Sequence, residues 1–571
     1  MKKTTYLPFL FFGLLIVLPL ISRGQQGKAM KLRDAALHHE IPGDPYSPNR
    51  YQNQKTSPAY NRSGSIFFTT QVNVNENGEN IVGDAANEPS IAIDPTNPDR
   101  MVIGWRQFDD VNSDFRQAGY GYTSDGGLIW TFPGVINQGI FRSDPVLGSD
   151  AEGTFYYNSL TVDDAGAYSC NVFKNVNGEF IWDEGTFAQG GDKQWMTIDK
   201  SGGMGDGHNY SFWTSYYSYC SPGAFTRSIN KGSSYEDCVA VYGNPYWGTL
   251  TVGPDGELYT VGKDYNDGIV VTKSTTARDP DQIVSWDFMS QVDLDGTISG
   301  YTDVNPAGLL GQAYIDVDRS DGPGHGNVYV LASVQRNSTS DPADVMFSKS
   351  IDGGETWGPA TRVNDDLQIY DFQWFGTMSV APNGRIDAVW LDTRDAISLP
   401  VQSALYYSYS LDQGETWSVN EKLSGSFDSR VGWPNQQKMG DYYHMISDNG
   451  GAHLAWANTL NGEQDVYYTH IILQYDGFGN IKTNREDLSL TTYPNPFCGK
   501  TSIRYTLPEN CNSRMVICDL YGNEIKTLVN EEQSAGAHVV DFTSDEIPAG
   551  YYFCRLQAGT HTETIGLVRM K

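Results

Sequence analysis

The sequence predicts an all-β fold, a seven-bladed β-propeller followed by a small C-terminal β-sandwich. A unit of short strands joined by polar turns recurs seven times between Glu88 and Leu473, at spacings of about 50 to 70 residues. The composition includes 60 glycines, 35 tyrosines, 24 phenylalanines and 13 tryptophans, which suits many short strands and tight turns. The pattern contains no long helical period. A six-bladed ring with one irregular insertion is the alternative.

The clearest repeat runs over 372–417. It reads as a strand (Phe375–Val380), an Asn383-Gly384 turn, a second strand (Ile386–Leu391) and an aromatic third strand (Leu405–Tyr409). Asn-Gly between two apolar runs is a strong hairpin signal. Copies of the first two strands begin at Glu88, Asp144, Lys193, Asn244, Gln312, Phe372 and Lys438.

Each clear repeat closes on an octet of the form S/T-x-D-x-G-x-x-W. Good copies lie at Thr123–Trp130, Ser350–Trp357 and Ser410–Trp417, with a degenerate one at Ser228–Tyr235. In such an octet the Asp and Ser/Thr side chains bond to their own turn, and the Gly accepts a left-handed conformation. This pattern is that of the Asp box, which stabilises a turn and carries no chemistry.

The two ends of the chain differ from the repeats. Two lysines, an apolar run over 6–21 and a short polar stretch predict a signal peptide over 1–24. A polar lead-in follows over 25–65, which we expect to be weakly ordered. The propeller is predicted over 66–480, a linker over 481–490 and the β-sandwich over 491–571.

The stretch Ile66–Val74 alternates like a lone strand. The seventh unit has a third strand, Asp465–Leu473, but no closing octet after it. An unpaired sheet edge is a liability for a soluble protein. We therefore predict that Ile66–Val74 pairs with that third strand and closes the ring.

The net charge of -30 disfavours nucleic acid and anionic membranes as partners. We expect no transmembrane segment in the mature protein. Seven cysteines in an exported chain permit disulfides. The options are Cys220 with Cys238 and pairs among Cys498, Cys511, Cys518 and Cys554. We predict no cofactor, although the Gly-rich loops leave room for a structural calcium ion.

Propeller geometry predicts that first-strand starts and second-strand ends meet on one face around the axis. Arginines can grip a carboxylate, aromatic rings stack on sugars, and paired carboxylates cleave glycosidic bonds. The predicted catalytic residues are Glu88, Asp144, Asp392 and Tyr442. The predicted substrate-binding residues are Arg106, Asp192, Lys193, Trp195, Trp247, Arg336, Gln373, Trp374, Arg394, Arg430 and Asp441.

With its octets, the repeat region resembles the sialidase-like superfamily. That resemblance implies recognition of an extracellular glycan or glycoconjugate, with sialidase-like glycoside hydrolysis as the leading activity. It also implies that Arg106, Arg394 and Arg430 grip a substrate carboxylate and that Tyr442 is the nucleophile. Sialidases, however, have six blades and an F/Y-R-I-P motif that this chain lacks. A polysaccharide lyase on an acidic polymer, with His444 beside a tyrosine, and a non-catalytic carbohydrate- or protein-binding propeller remain alternatives.

The C-terminal end resembles the sorting domain of the type IX secretion system of Bacteroidetes. The resemblance is carried by Tyr493–Phe497, Asp519–Gly522, Gly536, Pro548–Tyr552 and Lys571. It implies export through the periplasm and across the outer membrane, with the secretion machinery as partner. The mature protein is then expected to be secreted or attached to the cell surface.

Overall fold

A computed structural model describes residues 39–41, 43–47, 55–175, 178–396, 399–473, 489–493, 495–507, 510–519, 523–534, 536–543, 547–559 and 561–570. The predicted signal peptide lies outside these residues. The described residues form strands and turns without any helix, which confirms the all-β prediction. Within the described residues there is accordingly no helix that could span a membrane. The chain divides into two compact units, Met1–Ile471 and Ile472–Lys571.

Four short strands precede the repeats: β1 (Lys55–Pro58), β2 (Asn61–Ser63), β3 (Phe67–Gln71) and β4 (Glu79–Val82). Strand β1 pairs antiparallel with β4, and β2 with β3. Part of the lead-in over 25–65 is therefore built into the sheets, contrary to the expectation of weak order.

The first four repeats each form one antiparallel sheet, in which consecutive strands pair. Their strands are β5 (Ala85–Ile93), β6 (Met101–Phe108), β7 (Gln117–Thr123), β8 (Thr131–Ile136), β9 (Ser143–Ser149), β10 (Phe155–Val162), β11 (Tyr168–Lys174), β12 (Thr186–Phe187), β13 (Trp195–Ile198), β14 (Asn209–Phe212), β15 (Phe225–Ser228), β16 (Leu250–Val252), β17 (Leu258–Lys263), β18 (Ile269–Ser274) and β19 (Phe288–Val292). The inner strands are almost wholly buried, because an inner strand packs on both of its faces.

The remaining repeats form three more sheets. Their strands, with a short hairpin formed by β21 and β22, are β20 (Gly296–Thr297), β21 (Gly300–Thr302), β22 (Asn305–Leu309), β23 (Tyr314–Val317), β24 (Val328–Arg336), β25 (Asp344–Ser350), β26 (Thr361–Arg362), β27 (Gln373–Val380), β28 (Ile386–Asp392), β29 (Gln402–Ser410), β30 (Glu421–Lys422), β31 (Phe427–Asp428), β32 (His444–Ser447), β33 (Gly451–Asn458) and β34 (Asp465–Ile472). The predicted Asn-Gly hairpin joins β27 to β28, with Gly384 at a φ of 85°.

The last sheet joins two distant parts of the chain in the order β2-β3-β34-β33-β32. Strand β3 pairs with β34 from Phe67 opposite Ile471 to Gln71 opposite Tyr467. The hydroxyls of Thr69 and Thr469 lie 2.8 Å apart across this pair. The predicted pairing of the early strand with the seventh unit is confirmed.

The first strands of the seven sheets contact one another in succession. Strand β5 contacts β9, and the series continues through β13, β16, β23 and β27 to β32, which contacts β5 again. Each of these strands thus has two neighbouring sheets. The residues at their starts are brought near those of the other sheets.

The closing octets share one set of hydrogen bonds. In the octet at 410–417, Asp412 accepts hydrogen bonds from the Ser410 hydroxyl at 2.8 Å and from the Thr416 amide at 2.9 Å. The Gly414 amide donates to the Ser410 hydroxyl at 2.9 Å. Trp417 packs against Phe347 of the preceding sheet, with ring centroids 5.3 Å apart. The octet therefore fixes a turn and anchors it to its neighbour.

The second unit consists of two antiparallel sheets. Its strands are β35 (Ser489–Tyr493), β36 (Lys500–Leu507), β37 (Cys511–Cys518), β38 (Glu524–Gln533), β39 (Gly536–Thr543), β40 (Gly550–Ala558) and β41 (His561–Arg569). Strands β35, β36 and β39 form one sheet and the other four strands form the second. Cys518 and Cys554 are buried here as thiols. In the first unit, Cys220 and Cys238 form a disulfide bond.

We predict that Thr69→Pro opens the sheet at β3. Proline removes the amide that β3 offers to a neighbouring strand and leaves its acceptor unpaired, which should lower the free energy of unfolding by about 1–3 kcal/mol. The measurement is a urea unfolding curve of the full chain. Glu76→Pro is the matched control, because it falls in a turn in which the Gly78 amide donates to the Asn75 carbonyl and where proline is tolerated. Equal midpoints for the two variants would contradict the pairing.

Candidate functional site

Each of the seven first strands carries one residue with a positive φ, within the strand or up to four residues before it. These residues are Glu88, Asp144, Lys193, Trp247, Gly311, Phe375 and Gly440. A left-handed conformation costs a residue with a side chain roughly 1–2 kcal/mol, and it re-aims the side chain as a bulge does. Five of the seven have side chains and bear this strain, and three of those five are charged, whereas Gly311 and Gly440 adopt the conformation without that cost.

Charged residues at or near the ends of several strands, together with Glu40 from the lead-in, form one buried group, here called the charge cluster. Its cations, the cationic cup, are Arg106, Arg116, Lys193 and Lys438. Its carboxylates are Glu40, Glu88, Asp144, Asp192 and Asp441. All nine residues are buried. Removing so many charges from water is unfavourable unless they pair with one another, as they do here.

The carboxylate of Glu40 lies at the centre of the cationic cup. Arg106 Nη1 donates to both of its oxygens, at 2.9 and 3.0 Å. Lys438 Nζ donates to Oε1 at 2.7 Å, and Arg116 Nη2 donates to Oε2. Lys193 Nζ lies 3.4 Å from Oε1, and the Ser143 hydroxyl donates to Oε2 at 3.0 Å. Four cations and one hydroxyl therefore bind a single carboxylate.

The two lysines link the rest of the cluster. Lys193 Nζ lies 3.0 Å from Asp441, 3.5 Å from Asp192 and 3.6 Å from Asp144. Lys438 Nζ lies 2.8 Å from Asp441 and 3.3 Å from Glu88. Each lysine thus bridges several carboxylates from different sheets.

The hydrogen-bonding capacity of the cluster is incompletely used. Nη2 of Arg106 and Oδ2 of Asp192 are buried without a hydrogen-bond partner, and the oxygens of Glu88 have ion-pair contacts only, 3.1 Å from Arg106 Nε and 3.3 Å from Lys438 Nζ. Leaving a buried polar atom unpaired costs about 1–3 kcal/mol. A purely structural ion-pair network would be expected to satisfy these atoms, so the cluster retains capacity for a further polar group.

Burial and neighbouring charges set the pKa values in the cluster. Burial raises the pKa of Glu88 to about 8 against the opposing effects of Arg106 and Lys438. Burial alone would also raise the pKa of Glu40, but the cationic cup holds it well below its usual range. Glu88 therefore carries a proton at neutral pH, whereas Glu40 is ionised.

Glu40, Glu88 and Asp144 bring carboxylate oxygens within 4.8 Å of one another. A metal ion would need that space for itself. Because the four cations of the cup already surround these oxygens, the donor set fits an anionic group better than a second positive charge.

The other predicted residues lie apart from the charge cluster. Asp392 accepts hydrogen bonds from Arg394 Nε at 2.9 Å and from the Trp390 indole at 2.8 Å. Gln373 donates to the same carboxylate at 3.3 Å. Burial raises the pKa of Asp392 in spite of Arg394. This carboxylate is tied into its own sheet.

Four more predicted residues have local partners. Arg336 pairs with Asp295 and Asp344, and Arg430 is a surface residue whose Nε lies 3.5 Å from Asp428. The Trp374 indole donates to the Ser403 hydroxyl at 3.0 Å, and the ring of Trp247 lies under the Lys263 ammonium. The structure thus brings Arg106 to the cluster, but leaves Arg394 and Arg430 outside it.

An aromatic layer lies beneath the cluster. Tyr442 follows Asp441, and its hydroxyl donates to the Pro145 carbonyl at 2.8 Å. Burial, with Glu88 and Asp144, raises the pKa of Tyr442 well above its usual value. The ring of Trp195 contacts Tyr442 edge to face at 5.1 Å.

A cavity of about 480 Å³ lies beyond this layer, lined by six of the first strands. Lys193, two residues before β13, belongs to the cluster, whereas Trp195 and Met196 of β13 both line the cavity. His444 also lines the cavity, where its Nδ1 lies 2.8 Å from the Ser90 hydroxyl. Burial lowers the pKa of His444 to about 4. The Tyr443 hydroxyl donates to the Ala457 carbonyl, so neither tyrosine pairs with His444 as a base.

Sequence reasoning missed three members of the cluster. Glu40 lies in the lead-in, outside every repeat, so no periodic signal points to it. Lys438 opens the seventh repeat but precedes its strand by several residues. Arg116 immediately precedes β7, which is the third strand of its sheet. The sequence-based prediction covered only the starts of first strands and the ends of second strands. Including third-strand starts would have found Arg116.

Comparison with known proteins gives one matching domain. The description "secretion system C-terminal sorting domain" matches residues 491–568. This domain marks proteins that the type IX secretion system exports to the cell surface or the extracellular space. The protein is therefore exported by that route. A search of curated protein sequences gives no match.

Several solved structures resemble the chain at low similarity. A protein of unknown function from Dyadobacter fermentans DSM 18053 has 11% identity and a TM-score of 0.41, covering 71% of this chain and 98% of that one. A Trypanosoma rangeli sialidase has 9% identity and a TM-score of 0.37, and the match covers 87% of this chain and 89% of the sialidase. An ulvan lyase has 11% identity and a TM-score of 0.35, and the match covers 68% of this chain and 94% of the lyase. These likenesses assign neither substrate nor site residues.

We predict that Glu88→Gln changes how stability depends on pH. Folded Glu88 keeps its proton up to about pH 8, whereas the unfolded chain releases it near its ordinary value of 4.5. Between these values the free energy of unfolding falls as pH rises, by up to about 1.4 kcal/mol per pH unit for one proton. Glutamine removes this titration, so the variant should gain stability relative to wild type from pH 5 to 8.

The measurement is urea unfolding at several pH values. Asp192, whose pKa burial raises to about 7, leaves some slope in the variant. Glu415→Gln at the surface is the control and should retain the wild-type slope. If the free energy of unfolding depends on pH in the same way in Glu88→Gln and wild type, the raised pKa of Glu88 is refuted.

Proposed function

We propose that the first unit is a seven-bladed β-propeller of the sialidase-like superfamily that recognises an acidic glycan outside the cell. The cyclic succession of seven first strands supports the blade number, and the recurring octet turns support the superfamily. We propose the domain limits 66–480 for the propeller and 491–571 for the sorting domain, preceded by a signal peptide over 1–24.

The observation that carries the proposal is the cationic cup, whose four charged groups converge on one carboxylate. Charge-assisted hydrogen bonds of this kind are the strongest that side chains make. Uronic and sialic acids carry a carboxylate that such a cup can bind in the same way. Neutral sugars offer nothing to balance the cup.

Hydrolysis of the bound glycan is the favoured reaction, because Glu88 and Asp144 form a suitable pair. Their oxygens lie within 4.8 Å of each other, and retaining glycosidases likewise place two carboxyl groups close together, about 5 Å apart, on either side of one glycosidic bond. Glu88, protonated at neutral pH, would give its proton to the glycosidic oxygen as that bond breaks. Asp144 would bond to the anomeric carbon, and a water deprotonated by Glu88 would then displace Asp144.

This pair fits better than a tyrosine nucleophile. The hydroxyl of Tyr442 is directed at a carbonyl, and its raised pKa disfavours the phenolate. Asp392 and Arg394, bound to each other within one sheet, are better explained as structural.

The binding proposal predicts discrimination by charge. An oligosaccharide of uronic acids should bind, and the same oligosaccharide with its carboxyl groups reduced to alcohols should bind at least about tenfold more weakly. Calorimetry or ligand-observed NMR measures both. Lys438→Met should weaken binding of the acidic form, while the surface control Lys422→Met should not. Equal binding of the two oligosaccharides would refute the proposal.

The hydrolytic proposal predicts that Glu88→Gln lowers activity by about 10²-fold or more per folded molecule, as expected for a lost general acid. Glu415→Gln should leave it unchanged. Release of reducing sugar without new ultraviolet absorbance supports hydrolysis. An absorbance from an unsaturated uronide would instead support a lyase, and binding without products a non-catalytic propeller.

A further inference from the structure

We propose that the segment formed by residues 39–41 and 43–47 is a built-in occupant of the cationic cup. Glu40 takes the position of a ligand carboxylate, and an acidic ligand enters only when this segment leaves. The identity of that ligand as a glycan rests on the proposed function. The occupancy itself rests on the contacts of Glu40 alone.

The first argument is the position of Glu40 in the sequence. The other carboxylates of the cluster belong to the repeats, at or near the starts of first strands. Glu40 comes from outside the repeats, yet it makes more contacts with the cup than any of them. The repeats thus build a carboxylate site that their own residues do not fill.

The second argument is how the segment is held. Its described residues form no strand. The Glu40 amide donates to Asp192 at 3.2 Å, and Tyr168 donates to the Glu40 carbonyl at 2.5 Å. Arg116 donates to the Ile41 carbonyl at 3.0 Å. Side chains rather than a sheet ladder hold this backbone, so the segment can leave without breaking a sheet.

The residues on either side of Glu40 make contacts outside the cup. The Asp44 amide donates to Asp114 at 2.6 Å, and the Asp114 amide donates back to Asp44 at 3.1 Å. The ring of His39 stacks on Tyr217 with centroids 4.0 Å apart. These contacts lie outside the cup and set the direction in which the segment runs across it.

The third argument is what Glu40 would leave behind. Without it, four carboxylates face four cations, and since Glu88 is protonated at neutral pH only three of the four are negative. Nη2 of Arg106 and Oδ2 of Asp192 are already buried without hydrogen-bond partners. A ligand with one carboxylate and neighbouring hydroxyls would restore the charge and engage these atoms, as a uronate or sialate residue does.

The test uses the full chain with Glu40→Ala. Sodium acetate and sodium glucuronate should raise the melting temperature of this variant in a concentration-dependent manner, and sodium chloride at equal ionic strength should not. Wild type should respond only at concentrations at least about tenfold higher. Glucuronate should bind the variant at least tenfold more tightly than wild type. Glu463→Ala, which removes a carboxylate that accepts the Gly83 amide outside the cluster, should behave like wild type.

Two results would overturn the proposal: a Glu40→Ala protein that carboxylates do not stabilise, or equal affinity for glucuronate in variant and wild type. Should Glu40→Ala fail to fold, a specific protease site inserted between Ser47 and Lys55 of the otherwise native chain replaces it. After cutting, glucuronate should promote release of the N-terminal fragment, measured by gel filtration and mass spectrometry. A fragment retained at every concentration would make the segment structural.

The outcomes also separate this proposal from the proposed function. If acetate stabilises Glu40→Ala but neither protein binds an acidic glycan, the proposal that Glu40 occupies the cationic cup is upheld and glycan recognition is rejected. Equal binding of an acidic glycan by both proteins through Lys438 would uphold recognition and reject the occupancy.

Discussion

The first unit depends on one electrostatic constraint: the charges of the cluster, drawn from several sheets and from the segment that carries Glu40, must balance within a space from which water is largely excluded. Carboxylates from several sheets and four cations meet there, and none of the nine is exposed. Breaking one buried pair while leaving its partner charged is strongly destabilising. The sheets are therefore tied to one another by charge at this face and by packing elsewhere.

Backbone strain makes this arrangement attainable. Glu88, Asp144 and Lys193 each adopt a left-handed conformation where their sheet begins. Gly440 completes the arrangement, since a Cβ there would lie 2.5 Å from Glu88 Cγ. Strain of this kind clusters at functional sites more often than elsewhere. Here it coincides with the proposed carboxylate-binding cup.

The sequence was informative about the sheets because the signal was periodic. The Asn-Gly hairpin and the pairing of Ile66–Val74 with the seventh unit followed from turn chemistry and from the need to pair an edge. The positions of strand starts and strand ends predicted that five charged residues lie close together: Glu88, Arg106, Asp144, Lys193 and Asp441. The prediction of site residues was less complete, because Glu40 belongs to no repeat. Local hydrogen bonds decide whether a residue at a strand end, such as Asp392, faces the cluster or its own sheet. The spacing of residues in the sequence does not reveal those bonds.

The union of β3 with β34 has a consequence for how the protein matures. The hydroxyls that meet across it are 400 residues apart in sequence, so joining them closes a loop whose entropic cost is ~5 kcal/mol on a simple chain model. Synthesis proceeds from the N-terminus, so the early strand must wait, unmatched, until almost the whole unit exists. The pairing of β3 with β34 therefore forms last. The first unit can fold cooperatively as a whole only after its final repeat has been synthesised.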